Sequence, residues 1–150
     1  MHDAVVIALT SPIVVGIYKE GVLVERFESS AQSSDALPEL FETILGKYTL
    51  SHLLYAKGPG SFMAIKIAYL YLKTLSIVLG IKLLATDAFY FNKNRPLKAV
   101  GKLYFVKIGS KITTQKFATP VEADFELPSA LHLNDFSDDT APYYGIGAVG

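Results

Sequence analysis

"YAKGPGSFMAIKIAYLYLKTLSIVLG", residues 55–80, begins with a glycine-proline-glycine turn and continues as a helix with almost no polar side. The turn follows the apolar run "HLLYAK" (52–57), and the helix leads into "IKLLAT" (81–86). Strand, helix and strand in that order predict two parallel strands joined by a right-handed crossover. Ser61 is placed to cap the helix, and Gly80 to end it in a left-handed residue.

Upstream, "AVVIAL" (4–9) reads as a buried strand ended by "TSP". "IVVGIYKEGVLVERFES" (13–29) holds two β-rich runs around a tight turn, with Gly21 supplying the positive φ. The first 29 residues therefore predict a three-stranded antiparallel meander. In "SSDALPELFETILGK", Leu37, Leu40, Phe41, Ile44 and Leu45 fall at the offsets of one helical face. That predicts a helix over 35–46, capped by Ser34 or Asp35, with Pro38 in its first turn and Gly46 at its stop.

Downstream, a boundary falls near "FNKNRPLKAVG" (91–101), dividing the chain into 1–92 and 93–150. "KLYFVKIGSKITTQKF" (102–117) predicts a hairpin with a Gly-Ser loop, and the remainder predicts only short extended pieces. All 14 Lys and Arg lie at or before Lys116 with 8 acids, a net of +6; the residues beyond carry 6 acids and no Lys or Arg. Between Asp87 and Glu122 stand Lys93, Arg95, Lys98, Lys102, Lys107, Lys111 and Lys116, with no acid among them. One reading is a solvated face offset by the acidic tail; the other is a surface that tracks a phosphate backbone.

Apolar residues make up 51% of the 150-residue chain, enough for a core, and the absence of cysteine excludes disulfides and thiolate chemistry. His2, His52 and His132 follow no metal-ligand spacing. The first residues carry no basic region and no long apolar stretch, and Lys66 and Lys73 interrupt the longest apolar segment. A cytoplasmic protein without a membrane span is the expectation.

A glycine turn between strand and helix exposes backbone N–H groups at the positive end of the helix dipole, a natural seat for an anion. "GPGSF" matches neither nucleotide-binding glycine fingerprint, so a structural turn is the equal alternative. On a helical wheel, Lys66, Tyr69, Lys73 and Ser76 share one narrow stripe, with Thr74 beside it, and almost everything else is apolar. That arc exceeds what one sheet covers, so the first helix or another protein must cover the rest. The spacing of Gly60, Ala64 and Ala68 makes a groove that another helix could enter.

"GPGSF" opening a helix, after the meander and an "LPELFETIL" helix, resembles the TsaB (YeaZ) family, whose members help to make threonylcarbamoyladenosine on tRNA. In that family the loop reads G-P-G-S-F-T-G-x-R-x-G. Here Gly58 to Phe62 match, Lys66 stands for the arginine, and Ala64 and Ala68 replace glycines. "ATDAF" (85–89) sits where the family has a short segment like G-V-S-S-L, and "YYGIGAVG" (143–150) is similar to a glycine-x-glycine strand end of its second lobe.

The resemblance implies an α/β fold, the actin-like ATPase (ribonuclease H-like) lobe over 1–92, and a reduced second lobe over 93–150. Active members of that superfamily carry an Asp at the end of the first strand; Leu9 stands there, followed by Thr10 and Ser11. The resemblance therefore implies a noncatalytic subunit that dimerises with TsaD through its first-lobe helices, with TsaE joining and tRNA engaged indirectly. The partner-binding residues would be Leu37, Leu40, Phe41, Ala64, Ile65, Ala68, Tyr69 and Leu72. Thr10, Ser11, Gly58, Pro59, Gly60 and Ser61 would lie near any nucleotide. No cofactor would bind the chain alone, ATP and Mg²⁺ would sit at the subunit joint, and the isolated chain could form a homodimer through the same helices. The alternative is an ATP-dependent enzyme of the actin-like group, a small kinase or hydrolase, resting on the GPGS loop and Thr10–Ser11.

Overall fold

The computed structural model describes residues 1–122 and 124–144. Strands β1 (His2–Ile7), β2 (Ile13–Lys19) and β3 (Val22–Ser29) form the expected antiparallel meander. Glu20 and Gly21, at φ 51° and 79°, make its two-residue turn. Helix α1 (Ser33–Lys47), strand β4 (Leu50–Ala56), helix α2 (Phe62–Leu79) and strand β5 (Lys82–Thr86) follow. β4 pairs in parallel with both β1 and β5, giving a five-stranded sheet in the order β3-β2-β1-β4-β5. This is a mixed α/β sheet, as the strand and helix order predicts.

Local details of α1 differ from expectation. Gln32, not Ser34 or Asp35, precedes the helix, and its carbonyl accepts the N–H groups of Asp35 and Ala36. Pro38 therefore falls in the second turn; the carbonyl it leaves unpaired belongs to exposed Ser34, where water can serve it. Gly46 does not end the helix. Lys47 and Tyr48 both hold the Glu25 carboxylate of β3, the lysine at 2.7 Å, and that anchor carries the helix past the glycine. Gly80 does end α2, at φ 67°.

The two helices lie side by side on one face of the sheet. Leu37, Phe41 and Ile44 of α1 and Ala68 and Leu72 of α2 meet Val6, Val15, Ile17, Leu53 and Tyr55 there. The opposite face carries Val5, Ile7, Leu9, Tyr18 and Leu54, and it is buried too. Strands with both faces covered read as continuous apolar runs, which is what residues 4–9 and 53–56 are.

The cover on that second face comes from the residues after β5. A 3₁₀ turn (Ala88–Phe91) leads to a three-stranded antiparallel sheet of β6 (Leu97–Val100), β7 (Leu103–Ile108) and β8 (Lys111–Lys116). The Gly109–Ser110 hairpin is as expected, with Gly109 at φ 62°; β6 is an addition. Phe105, Leu97 and Ile112 face inward. The tail then crosses the large sheet from edge to edge. Ala130 bridges to Val22 of β3, and Ser137 bridges to Ala85 of β5. Leu131 and Phe136 are buried between them, and Tyr18 donates to the Pro128 carbonyl at 2.6 Å. The glycine-x-glycine segment at 145–147 lies outside the described residues.

Candidate functional site

The carboxyl ends of β1 and β4 open onto two hollows that share Leu9, Thr10 and Ser61. Ligand sites in α/β sheets gather at such ends. The larger hollow is a cleft of about 860 Å³ between the glycine loop and the small sheet. Thr10, Pro59, Gly60 and Ser61 line one side; Leu97, Lys98, Phe105, Glu122 and Asp124 line the other. The smaller, about 440 Å³, lies where the first turns of α1 and α2 converge, and Ser11 and Ala64 line it. The structure thus brings together Thr10, Pro59, Gly60 and Ser61, and puts Ser11 on the adjoining groove only.

Gly58 does something else. Its φ of 117° suits glycine alone, and a Cβ would stand 2.0 Å from the Tyr143 carbonyl oxygen. Tyr143 donates its N–H to Lys57 at 2.7 Å, and Ala88 donates to the Gly58 carbonyl at 2.8 Å. Lys57 reaches the Asp139 carbonyl at 3.0 Å, and Tyr55 donates to that of Thr140. The first glycine of the loop therefore holds the chain's own tail. Phe62 and Tyr144 extend that contact, with rings 4.5 Å apart.

Leu9 is buried at the end of β1, its Cδ2 3.1 Å from where a Cβ on Gly60 would be. An apolar side chain there cannot supply the negative charge that a magnesium ion bound at that strand end would need. Among the described residues, no three His, Cys, Asp or Glu gather where they could hold a metal ion. The carboxylates lining the cleft are Glu122 and Asp124, on the side opposite the glycine loop.

The helix surface is the second candidate. Leu37, Phe41, Ile65, Ala68 and Leu72 are fully enclosed by the chain's own core, so these five are not available to a partner. They sit at the centre of each helix's apolar arc, which the sheet takes first. Leu40, Ala64 and Tyr69 are half-buried. Ala68 admits α1 rather than a foreign helix, since it shares a core with Leu37 and Phe41.

The opposite side of α2 is open and mostly apolar, with exposed Thr74 in its middle donating to the Leu70 carbonyl at 2.8 Å. Leu70, Ile77 and Val78 are 54%, 71% and 74% exposed, with Met63 also exposed and Ile67 half-buried on the same stripe. The wheel shows the excess; its exposed members stand half a turn from the Ile65–Leu72 stripe, a signal that sequence reasoning passed over. By length and composition α2 could also cross a membrane, with mean hydropathy 1.6, but here one side of it packs on the sheet.

No family model and no curated protein matches the chain in sequence. Solved structures do match in fold. An uncharacterized protein from Pseudomonas aeruginosa, described as similar to peptidase YeaZ, superposes with a TM-score of 0.59 at 14% identity over 77% of this chain. YeaZ from Pseudomonas aeruginosa gives 0.57 at 14% identity, also over 77%. The chain spans 64% and 65% of the lengths of those two proteins. Its fold is therefore similar to that of YeaZ.

Proposed function

We propose that the chain is a noncatalytic scaffold subunit that pairs with TsaD and supports threonylcarbamoylation of adenosine in cytoplasmic tRNA, with TsaE joining the pair. The observation that carries this reading is the open apolar stripe of α2, on a chain whose fold is similar to YeaZ. A foreign surface that covers Leu70, Ile77 and Val78 removes apolar area from water, the main drive for association. In this reading the pairing surface is the stripe of Met63, Ile67, Leu70, Ile77 and Val78. Of the residues implied by the family resemblance, Ala64, Leu40 and Tyr69 stay within reach of a partner. ATP, in this reading, is held at the joint between subunits.

Co-expression with TsaD of the same source, followed by affinity capture, tests the pairing. Leu70→Glu with Ile77→Glu is expected to cut capture at least tenfold while the circular dichroism spectrum stays unchanged. Two folded proteins that do not co-purify would end the proposal. The cleft beside Thr10, Gly60 and Ser61 favours one second reading, an ATP-dependent enzyme of the actin-like group. Calorimetric titration of the isolated chain with ATP–Mg²⁺ separates the two, since micromolar binding would favour the enzyme.

A further inference from the structure

The acidic tail does not neutralise the basic stretch 93–116. Within that stretch Lys107 is bonded to Asp87, and Lys93 has the Glu126 carboxylate at 3.7 Å. Arg95, Lys98, Lys102, Lys111 and Lys116 are exposed and form no ion pair among the described residues. Other tail acids lie elsewhere: Asp139 beside Lys57 at 3.8 Å, and Asp135 accepting from Tyr90 at 3.0 Å. Glu122 and Asp124 line the cleft with Lys98. The charge separation visible in sequence therefore survives folding over most of the small sheet.

Strand register shows what that sheet displays. Lys98 pairs with Tyr104, which pairs with Gln115; Val106 pairs with Thr113, and Ile108 with Lys111. Paired residues share a face, so Lys98, Gln115, Thr113 and Lys111 stand together on the side away from Phe105 and Ile112. Lys102 lies in the turn at one end, where its carbonyl accepts the N–H of Phe117, next to Lys116. β6, β7 and β8 contain no carboxylate. From Lys111 to Gln115 this face of the strand spans about 13 Å, a length over which duplex RNA or DNA carries about eight phosphates.

We propose that this face of the small sheet binds the phosphate backbone of RNA. Thr113 and Gln115 add neutral hydrogen-bonding groups among the lysines, suited to phosphate oxygens and to the 2′-hydroxyl. Tyr104 is buried against Phe117, their ring centroids 5.3 Å apart, so it gives no open platform for stacked bases. Recognition is of the backbone and not of base sequence. The exposed apolar residues Val100 of β6, opposite Leu103, and Ile108 of β7 lie at opposite ends of the small sheet and form no single patch for entering a lipid surface. The choice of RNA rests on the tRNA-directed reading above, whereas the cationic surface stands without it.

The test is fluorescence anisotropy of the full chain with labelled unfractionated tRNA between 50 and 200 mM salt. A log–log salt slope of up to about −3.5 to −4.5 is expected for the five free cations. Lys98→Glu, Lys102→Glu and Lys111→Glu together should weaken binding at least tenfold and flatten the slope. Lys19→Glu with Lys82→Glu, a reversal on other exposed lysines, should leave both unchanged. If the triple reversal unfolds the small sheet by circular dichroism, the same three positions changed to Gln serve in its place. No tRNA binding at 50 mM salt, or equal losses in both variants, would overturn the proposal. So would binding to phosphatidylglycerol vesicles in preference to tRNA. TsaD capture is measured in parallel: a triple variant that keeps TsaD and loses tRNA supports the surface. Wild-type protein that binds tRNA but not TsaD supports it as well, and ends the scaffold reading alone.

Discussion

Gly58 shows how one residue can look like a ligand seat and act as a joint. Its positive φ and the Tyr143 carbonyl beside it leave no room for a side chain. Gly58→Ala should therefore cost about 2 kcal/mol or more, through backbone strain and a displaced tail. Urea unfolding checks this, and a loss under about 0.5 kcal/mol, typical of open surface sites, would refute it. Tyr90 offers a second check. Burial, then its hydrogen bond to the Asp135 carboxylate, pushes its hydroxyl up from 10.0 to about 12. A raised folded value means that the contribution is complete below about pH 10 and lost as pH rises towards 12. Urea stability should fall across that window, and Tyr90→Phe should make the fall shallower. Burial also raises the Tyr18 and Tyr55 hydroxyls, so part of the decline will remain in the variant.

At the scale of elements, α2 has two apolar sides with different duties. Leu72 faces the core and is fully enclosed, whereas Ile77 is 71% exposed. Leu72→Ala should cost about 2–5 kcal/mol as a cavity opens. Ile77→Glu should stay within about 0.5 kcal/mol of the parent. Equal losses in the two urea titrations would mean that the helix sits otherwise on the sheet. Both helices are legible in the sequence, α1 from its i, i+3, i+4 offsets and α2 from its length and the Gly80 stop. The inward side of α2 is not legible, because a helix apolar all round gives the wheel no contrast. The end of α1 is missed for another reason: Gly46 is a sound local stop, and Glu25 on a distant strand overrides it.

For the whole molecule, the tail is the unexpected component. It covers one face of the main sheet, reaches both sheet edges and closes over the glycine loop. Phe136 is packed against Tyr90 and Phe91, with ring centroids at 5.3 and 6.2 Å. Phe136→Ala should lower stability by about 3 kcal/mol while one unfolding transition is kept. Far-UV circular dichroism and tyrosine fluorescence should report the same midpoint in that variant. A cost below about 1 kcal/mol would mean that the tail contributes little to the core.

By itself, the sequence determined the meander, the parallel strand–helix–strand unit, the Gly109–Ser110 hairpin and the glycine turns at 21 and 80. Each depends on a repeat period or a turn residue within a few positions of its neighbours. The separation of charge along the chain was equally plain. Tertiary structure alone decided which side of α2 stays open, that Gly58 holds the tail, and that among the described residues the acids leave most of the small sheet's cations unpaired. Those outcomes depend on contacts such as Tyr18 with Pro128, 110 residues apart. No local pattern encodes such a meeting, since its partners are chosen by which surfaces remain free once the nearer elements have packed.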